Sequence, residues 1–375
     1  MNFGFTEEQD MLRDQVRRFM SADCSLAQVR TLISNDQTPT STEQRDALWQ
    51  QMAQLGWLGL AVPEEHGGLG LKWVDQCVVL EETARGLSPL PLLSHYLCVT
   101  ALAHYATPTQ RNQWLPKLAD GSVRMSTALF DEPNWLDAKA ITFPLQKVSG
   151  NTTGFSLSGT KHFVTDAAFA THILVACRAT DGIKLALVEA GDIEIVTEPS
   201  IDNTKPISRL EFNNLAIEPD TLIALDEAQL EFLCDCGSLG VTAEAIGACE
   251  AALAMTNDYA KQRIQFGKPI GQYQGVKHRL ADMYVAIESF KSLAYYAAWA
   301  ADEEPSQLPR AASMAKAAAS NAAAQIGIDC VGLHGAIGFT AEYDIQLYLK
   351  RSKWARPQFG DSDYHYQRVA TLGGL

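Results

Sequence analysis

Basic residues are scarce in this chain. Lys and Arg total 30 against 44 Asp and Glu in 375 residues, which gives a net charge of −14. A chain with this acidic excess is not expected to present the broad positive face that nucleic acids require. No uninterrupted apolar run approaches about 18 residues, the length that crosses a bilayer. We therefore expect neither nucleic-acid binding nor a membrane span.

Cysteine motifs are missing as well. The eight cysteines are scattered, and the single CxC pair, Cys234 and Cys236, has no second pair or nearby histidine, so no metal site is predicted. Scattered thiols are typical of buried cysteines in a reducing compartment. The N-terminus lacks the basic start and apolar stretch of a secretory signal. These features predict a cytoplasmic protein.

The chain does contain two changes in hydrophobic pattern. Helical spacing fills the first 120 residues and begins after Thr6, a residue suited to an N-cap. Short alternating or apolar segments bounded by glycine follow, and they predict strands at 155–159, 172–177, 183–188, 193–196 and 209–212. Helices return after Asp226, including the alanine-rich stretch 310–328. The order predicts an α+β fold with an all-helical domain (1–121), a β domain (122–224) and a second helical domain (225–375).

One segment combines a helix break with chemically useful side chains. In the stretch 263–283, a helix is expected to run into Phe266-Gly267, to break at Pro269 and Gly271, and to resume. Arg263, Phe266, Gln272 and Gln274 cluster around this corner. A fixed cation, an aromatic ring and amides suit a phosphate-bearing aromatic ligand.

This corner resembles the helix-turn-helix of the acyl-CoA dehydrogenase flavoproteins, and the likeness extends over essentially the whole chain. The resemblance implies the family fold, with a helical N-terminal domain, a middle β domain and a C-terminal four-helix bundle. It implies FAD as cofactor, with Arg263, Phe266 and Gln274 reaching a neighbouring subunit's flavin. The loop from Leu60 to Gly70 resembles the family's Pro-Glu-x-x-Gly-Gly-x-Gly loop. Two interpretations of this loop are considered, a phosphate cradle and a purely structural loop, because no strand precedes it as in phosphate-binding motifs.

Two further segments resemble the family's flavin contacts. In Gly159-Thr-Lys-His-Phe-Val-Thr165, the resemblance assigns Phe163 to the flavin ring and Thr165 to its N5 edge; the alternative is a core strand. In the loop after Gly332, it places His334 and Gly335 near a neighbour's flavin, although Gly332 replaces the usual glutamine. A third segment departs from the pattern, since Asp131 and Asp137 replace hydroxyl residues. Carboxylates there oppose an anionic phosphate unless they turn away.

The catalytic base is the largest departure from the family pattern. Family members carry it as a glutamate at one of two positions, and this sequence has Phe359 at one and Gly237-Ser238 at the other. Two replacements are considered: Glu244, about two helical turns (roughly 10 Å) beyond Ser238, and Asp361, which also suits an N-cap. A third possibility is that the chain carries no base.

The resemblance implies an enzyme that introduces an α,β double bond into an acyl-CoA and passes electrons to an electron-transfer flavoprotein. Arg263, Phe266 and Gln274, which would contact a neighbour's flavin, are retained, while several residues that would serve the chain's own flavin and base are altered. That combination is typical of one subunit of a heteromeric α2β2 enzyme, a type that acts on bulky or steroid-derived CoA esters. A homotetramer, a non-catalytic scaffold subunit, and a flavin oxidase or monooxygenase with an altered base are the alternatives.

Overall fold

The computed structural model describes residues 4–34, 39–131, 140–148 and 154–375, with the side chains of 34 and 39–41 left aside. Its helices are α1 Glu7–Asp23, α2 Leu26–Ser34, α3 Pro39–Gln54, α4 Trp73–Arg85, α5 Leu92–Tyr105, α6 Pro108–Ala119, α7 Glu227–Gln262, α8 Gln274–Glu303, α9 Leu308–His334, α10 Ile345–Ala355 and α11 Ser362–Leu372. Its strands are β1 Met125–Ala128, β2 Leu145–Lys147, β3 Phe155–Thr165, β4 His172–Ala179, β5 Gly182–Glu189, β6 Glu194–Glu198, β7 Ile207–Ile217, β8 Leu222–Leu225, β9 Ile264–Gln265 and β10 Lys268–Pro269. The predicted helix–sheet–helix order and α+β class are confirmed. The three-domain division stays a prediction.

The chain forms two compact units, one of which holds both four-stranded sheets. This unit comprises residues 37–72 and 90–237. One sheet has the order β1-β4-β5-β8, with β1 parallel to β4, and the other is the antiparallel order β2-β3-β7-β6. Apolar side chains from both sheets form one buried cluster that includes Leu157, Val175 and Leu210. All five predicted strands are present. Their alternating apolar residues face this cluster.

The other unit is helical and is built from residues 1–36, 73–89 and 238–375. Thr6 caps α1 in a capping box with Gln9, as its sequence position predicts. Helix α7 passes so close to α4 that a Cβ atom on Gly247 would lie 1.7 Å from the Glu81 carbonyl oxygen. Only glycine fits there. The alanines of α9 are largely buried, which agrees with close helix packing.

Two segments, Glu227–Gln262 and Pro305–Phe339, are long and apolar enough in composition to cross a membrane. In the first, 89% of the apolar window is buried inside the protein. That burial is what a core helix shows, so length and composition alone do not make it a span.

Buried charges join the separate segments of the helical unit. The Glu82 carboxylate is fully buried and accepts two hydrogen bonds from Arg17, at 3.0 and 2.6 Å, and one from Arg85 at 3.0 Å. Arg85 also pairs with Glu250 of α7, and Lys291 of α8 donates to Glu250 at 2.7 Å. The network thus links α1, α4, α7 and α8.

Removing the Glu82 charge should destabilise the chain strongly. We expect Glu82→Gln to lower the free energy of unfolding by about 2 kcal/mol, because the buried acceptor of the Arg17 and Arg85 hydrogen bonds loses its charge. Urea unfolding measures this change. The matched control is Glu288→Gln on the exposed face of α8, which should stay within about 0.5 kcal/mol of the wild type. Equal effects of the two substitutions would show that the network adds no stability.

Candidate functional site

The corner between α7 and α8 is a small hairpin. Helix α7 ends at Gln262, strands β9 and β10 pair, and α8 begins at Gln274. The expectation that the helix runs into Phe266-Gly267 was wrong. Phe266 and Gly267 have φ of +51° and +81°, the two positive values that a two-residue hairpin turn requires. The Tyr273 hydroxyl donates to the Gln265 carbonyl at 2.9 Å and holds the hairpin against the start of α8.

The predicted flavin-contacting side chains of this corner point outward. Phe266 is 93% exposed, and Arg263 and Gln274 are exposed as well. The side chains of Arg263 and Gln274 make no hydrogen bond or ion pair with any residue that the structure describes. An aromatic ring, a cation and an amide are therefore presented together to whatever binds this surface.

Phe163 and Thr165 lie at the end of β3, where the strand is irregular. The pairing with β7 shifts between Lys161 and Val164, and Phe163 has φ of +55°. This bulge turns the Phe163 ring out of the sheet, leaving it 42% exposed, so the alternative of a core side chain is wrong. The Thr165 carbonyl accepts a hydrogen bond from Ser126 Oγ at 2.6 Å, which fixes the end of the strand. The flavin roles of both residues remain predictions.

The Asp131 carboxylate turns into its own unit. It accepts hydrogen bonds from the Thr142 and Phe143 amides at 2.5 and 2.8 Å and pairs with the fully buried Lys161. Burial alone would raise the pKa of Asp131, but Lys161 and the two amides outweigh it and lower that pKa. The charge is thus neutralised locally and does not oppose a bound phosphate. Glu132 and Asp137 lie outside the described residues.

The glycine-rich loop from Leu60 to Gly70 is structural. The amides of Gly67, Gly68 and Gly70 donate to the carbonyls of Glu64, Pro63 and Val62. A Cβ atom on Gly68 would lie 2.0 Å from the Val62 carbonyl oxygen. Because these amides are occupied within the loop, it has no row of free donors to cradle a phosphate.

His334 is the last residue of α9, and Gly335 follows it directly. This end of α9 lies close to α7. The His334 ring stacks on Tyr259 of α7 at 4.4 Å, and its Nδ1 lies 2.7 Å from the Cys330 carbonyl oxygen. His334 Nε2 is buried and has no partner within the described part of the chain. Gly335 has φ of +66°, and nothing lies within 4 Å of where its Cβ would be. The open backbone at Gly335 is available to a ligand or another chain, whereas the His334 ring nitrogen is enclosed.

The two family positions for a base meet in the structure. Ser238 Oγ on α7 donates to the Phe359 carbonyl at 3.3 Å, although 121 residues separate them. Phe359 itself has φ of +52°. Neither a hydroxyl nor a phenyl ring accepts a proton near neutral pH. These two residues therefore supply no carboxylate at the positions where the family carries its glutamate.

The two replacement candidates differ in their surroundings. Asp361 is the N-cap of α11, and its carboxylate accepts hydrogen bonds from the Asp363 and Tyr364 amides, both at 3.1 Å. It therefore caps α11, and its assignment as base stays a prediction. Glu244 is 4% exposed on α7, beyond Ser238 along the same helix. Its assignment as base stays a prediction.

Two further residues, for which the sequence predicted no role, hold the Phe359 segment. His365 Nε2 lies 2.8 Å from the Phe359 carbonyl oxygen, and Lys316 of α9 donates to the Gly360 carbonyl at 2.8 Å. Burial, reinforced by the Lys316 ammonium, lowers the pKa of His365 to about 3. A lysine inside an alanine-rich helix was the available signal for Lys316, because such a charge needs buried partners.

The depressed pKa of His365 predicts acid sensitivity. An unfolded histidine titrates near 6.5, so the stabilisation is complete above pH 6.5 and is lost as the pH falls towards 3. We expect the free energy of unfolding to fall about 2 kcal/mol less between pH 7.5 and 5 in His365→Gln than in the wild type. Urea unfolding at each pH measures this. His278→Gln, at an exposed site, should follow the wild type; an identical slope in His365→Gln would contradict a neutral buried imidazole.

Known proteins share this architecture and sequence. The acyl-CoA dehydrogenase N-terminal domain model matches residues 6–122, and the C-terminal domain model matches residues 235–372. The chain is 32% identical to acyl-CoA dehydrogenase IpdE2 of Mycobacterium tuberculosis, over 92% of this chain and 91% of that protein. It superposes on a chain of the ChsE4-ChsE5 complex of the same species with a TM-score of 0.89 and 25% identity, covering 100% and 99% of the two chains.

A second solved structure, a Tcur3481-Tcur3483 steroid acyl-CoA dehydrogenase variant, gives a TM-score of 0.86 with 28% identity over 98% of each chain. Together with the two domain models, these likenesses span both ends and nearly the full length of the sequence. The chain therefore belongs to the acyl-CoA dehydrogenase family of flavoproteins, oxidoreductases that act on CH–CH bonds.

Proposed function

We propose that this chain is a subunit of an FAD-dependent enzyme that dehydrogenates an acyl-CoA between its α and β carbons. We further propose that it works in a tetramer with a related subunit. The residues present fit FAD: the exposed Phe163 ring, the outward Arg263 and Phe266, and the open backbone at Gly335. The Asp131 carboxylate does not disfavour binding of the FAD phosphates, because Lys161 compensates its charge.

Bound FAD would supply a hydride acceptor for the substrate β carbon. Around it, the residues of this chain would bind and orient. Phe163 and Thr165 would flank the flavin ring, while Arg263, Phe266 and Gln274 would hold a neighbouring subunit's flavin, with the Arg263 guanidinium matched to a phosphate. His334 and Gly335 would line the same neighbouring flavin.

The contact between Ser238 and Phe359 is the observation that carries the subunit assignment. A dehydrogenase of this type needs a base to take the α proton. Both family positions for that base converge here without a carboxylate of their own. We infer that this chain supports catalysis in the related subunit, which would carry its own base. Glu244 is the alternative, since it is buried on the same helix.

A bulky or steroid-derived thioester is the proposed substrate class. Its support is the likeness to the solved steroid acyl-CoA dehydrogenase. An electron-transfer flavoprotein is the proposed electron acceptor, as the family resemblance implies.

Turnover by the assembled enzyme tests the proposal. The chain alone, a related subunit alone and the two co-purified each receive octanoyl-CoA or the CoA ester of a steroid carboxylic acid with an artificial electron acceptor. We expect reduction of the acceptor only by the assembly. Peroxide formation without the acceptor would indicate a flavin oxidase instead. An assembly whose turnover equals that of the partner alone would indicate a scaffold.

A further inference from the structure

Lys316 is an ammonium group enclosed in the interior of the helical unit. Its side chain is 1% exposed on α9. The Nζ atom donates to Ser320 Oγ at 2.8 Å and to the carbonyls of Ala355 and Arg356 at 3.2 and 2.9 Å. A fourth contact reaches the Gly360 carbonyl at 2.8 Å. A buried charge is costly unless it is fully hydrogen-bonded, and this one is.

The three carbonyls belong to one short segment, residues 355–360, between the end of α10 and the start of α11. The last carbonyls of a helix carry partial negative charge and have no intrahelical partner, so a cation there is favourable. Phe359 lies inside this segment, and its own carbonyl is held by Ser238 and His365. The amide of Gly360 closes the turn on the Pro357 carbonyl at 3.1 Å.

We propose that Lys316 is the positioning residue of this segment, and that its ammonium fixes the backbone that presents residue 359 to the thioester site. Lys316 acts through Gly360 and the end of α10 and does not touch substrate. Ser238 and His365 hold the segment from two other helices, and Lys316 adds a charged attachment from α9. The statement that residue 359 faces the thioester rests on the proposed function. The attachment of the segment by Lys316 is independent of it.

The surroundings of Lys316 agree with a charge–carbonyl attachment. Burial lowers the pKa of Lys316 to about 7, while Asp361 opposes that shift and Arg356 adds to it. His365 is the other titratable group near it, and it stays neutral because its pKa is about 3. The face of α7 that lines the adjoining cavity contributes Val241, Thr242 and Ala245, none of which titrates. The attachment should therefore weaken as the pH rises above 7, when the ammonium loses one N–H and its charge.

Hydrogen exchange in the full chain tests the hold directly. In Lys316→Met, amide protection of residues 356–362 should fall at least about tenfold, while protection in the β sheets changes less than about twofold. Lys350→Met, at an exposed site on α10, is the charge-matched control and should leave the segment unchanged. In the wild type, protection of this segment alone should decrease between pH 6.5 and 8.5 after correction for intrinsic exchange rates.

A second variant covers the case in which Lys316→Met does not fold. Lys316→Gln keeps two N–H donors without the charge and should loosen the same segment by a smaller factor. Unchanged exchange of residues 356–362 in the folded variant would overturn the proposal, as would loosening spread evenly over the helical unit.

A kinetic readout separates this proposal from the proposed function. Phe359→Glu places a base at residue 359, and exchange of the acyl-CoA α proton in deuterated water reports it. Adding Lys316→Met should lower that exchange rate about 10- to 100-fold while KM changes less than about threefold. If Phe359→Glu alone gives no exchange, the placement of residue 359 in the thioester site fails, and hydrogen exchange still decides the role of Lys316. If Lys316→Met leaves both the rate and the protection unchanged, the positioning role is excluded.

Discussion

Phe359→Glu is expected to give this chain α-proton abstraction from an acyl-CoA. The segment that holds residue 359 is already fixed by Ser238, His365 and Lys316, so the new carboxylate would be placed without rebuilding the backbone. The φ of +52° at Phe359 is no worse for glutamate than for phenylalanine. A positioned general base contributes about 10²- to 10⁴-fold to a rate.

The measurement is deuterium incorporation at the substrate α carbon, in the chain purified without its partner and supplied with excess FAD. Phe359→Gln is the matched control, because it has the size of glutamate but cannot take the proton. We expect exchange in the glutamate variant to exceed that in the glutamine variant about a thousandfold. Equal rates in the two variants would contradict the assignment of residue 359. High exchange in the wild type, abolished by Glu244→Gln, would instead make Glu244 the base.

Arg263→Ala should cause the assembled enzyme to lose its flavin. The guanidinium is exposed and makes no ion pair within the described residues, so its charge is available to a phosphate on another chain. A charged hydrogen bond of this kind contributes about 1.5–3 kcal/mol, which corresponds to roughly a 10- to 100-fold weaker retention of FAD. Equilibrium dialysis of the co-purified assembly, followed by the flavin absorbance that remains, gives the dissociation constant.

Lys261→Ala is the control for this experiment. Lys261 is exposed two residues before Arg263, in the last turn of α7, and pairs with Asp258 at 3.3 Å. The substitution removes one positive charge close to the corner in sequence. We expect it to leave FAD retention within about twofold of the wild type. An assembly that keeps its flavin equally well with Arg263→Ala would favour a scaffold in which the corner contacts only protein.

The large elements of the fold could be predicted because their signals are local. The cap at Thr6, the alternating strands and the alanine-rich α9 each specify structure within a few residues. The corner was found from the same kind of signal, although Phe266 and Gly267 form a hairpin turn that a helical periodicity does not reveal. Sequence propensity predicts which element forms, whereas the positive φ values of two neighbouring residues determine where the hairpin turn lies.

The site could be predicted only in part, because its decisive contacts join distant residues. Ser238 and Phe359 each departed from the family pattern in the sequence, but their hydrogen bond spans 121 positions. The compensation of Asp131 by Lys161, 30 residues later, was equally invisible, and it reverses the expected electrostatic conflict. For Lys316 the only signal was a charge inside an alanine-rich helix, which does not reveal its partners. Such contacts depend on tertiary packing and leave no periodic trace in the sequence.

Flavin content per chain tests the central claim most directly. The visible absorbance of the purified protein is recorded for the chain alone and for the chain co-purified with its related subunit, and the bound FAD is counted against protein. We expect well under one FAD per chain for the protein alone and a yellow, flavin-loaded assembly with the partner. Stoichiometric FAD together with full acyl-CoA dehydrogenation by the chain alone would contradict it and would make this chain a self-sufficient enzyme with a relocated base.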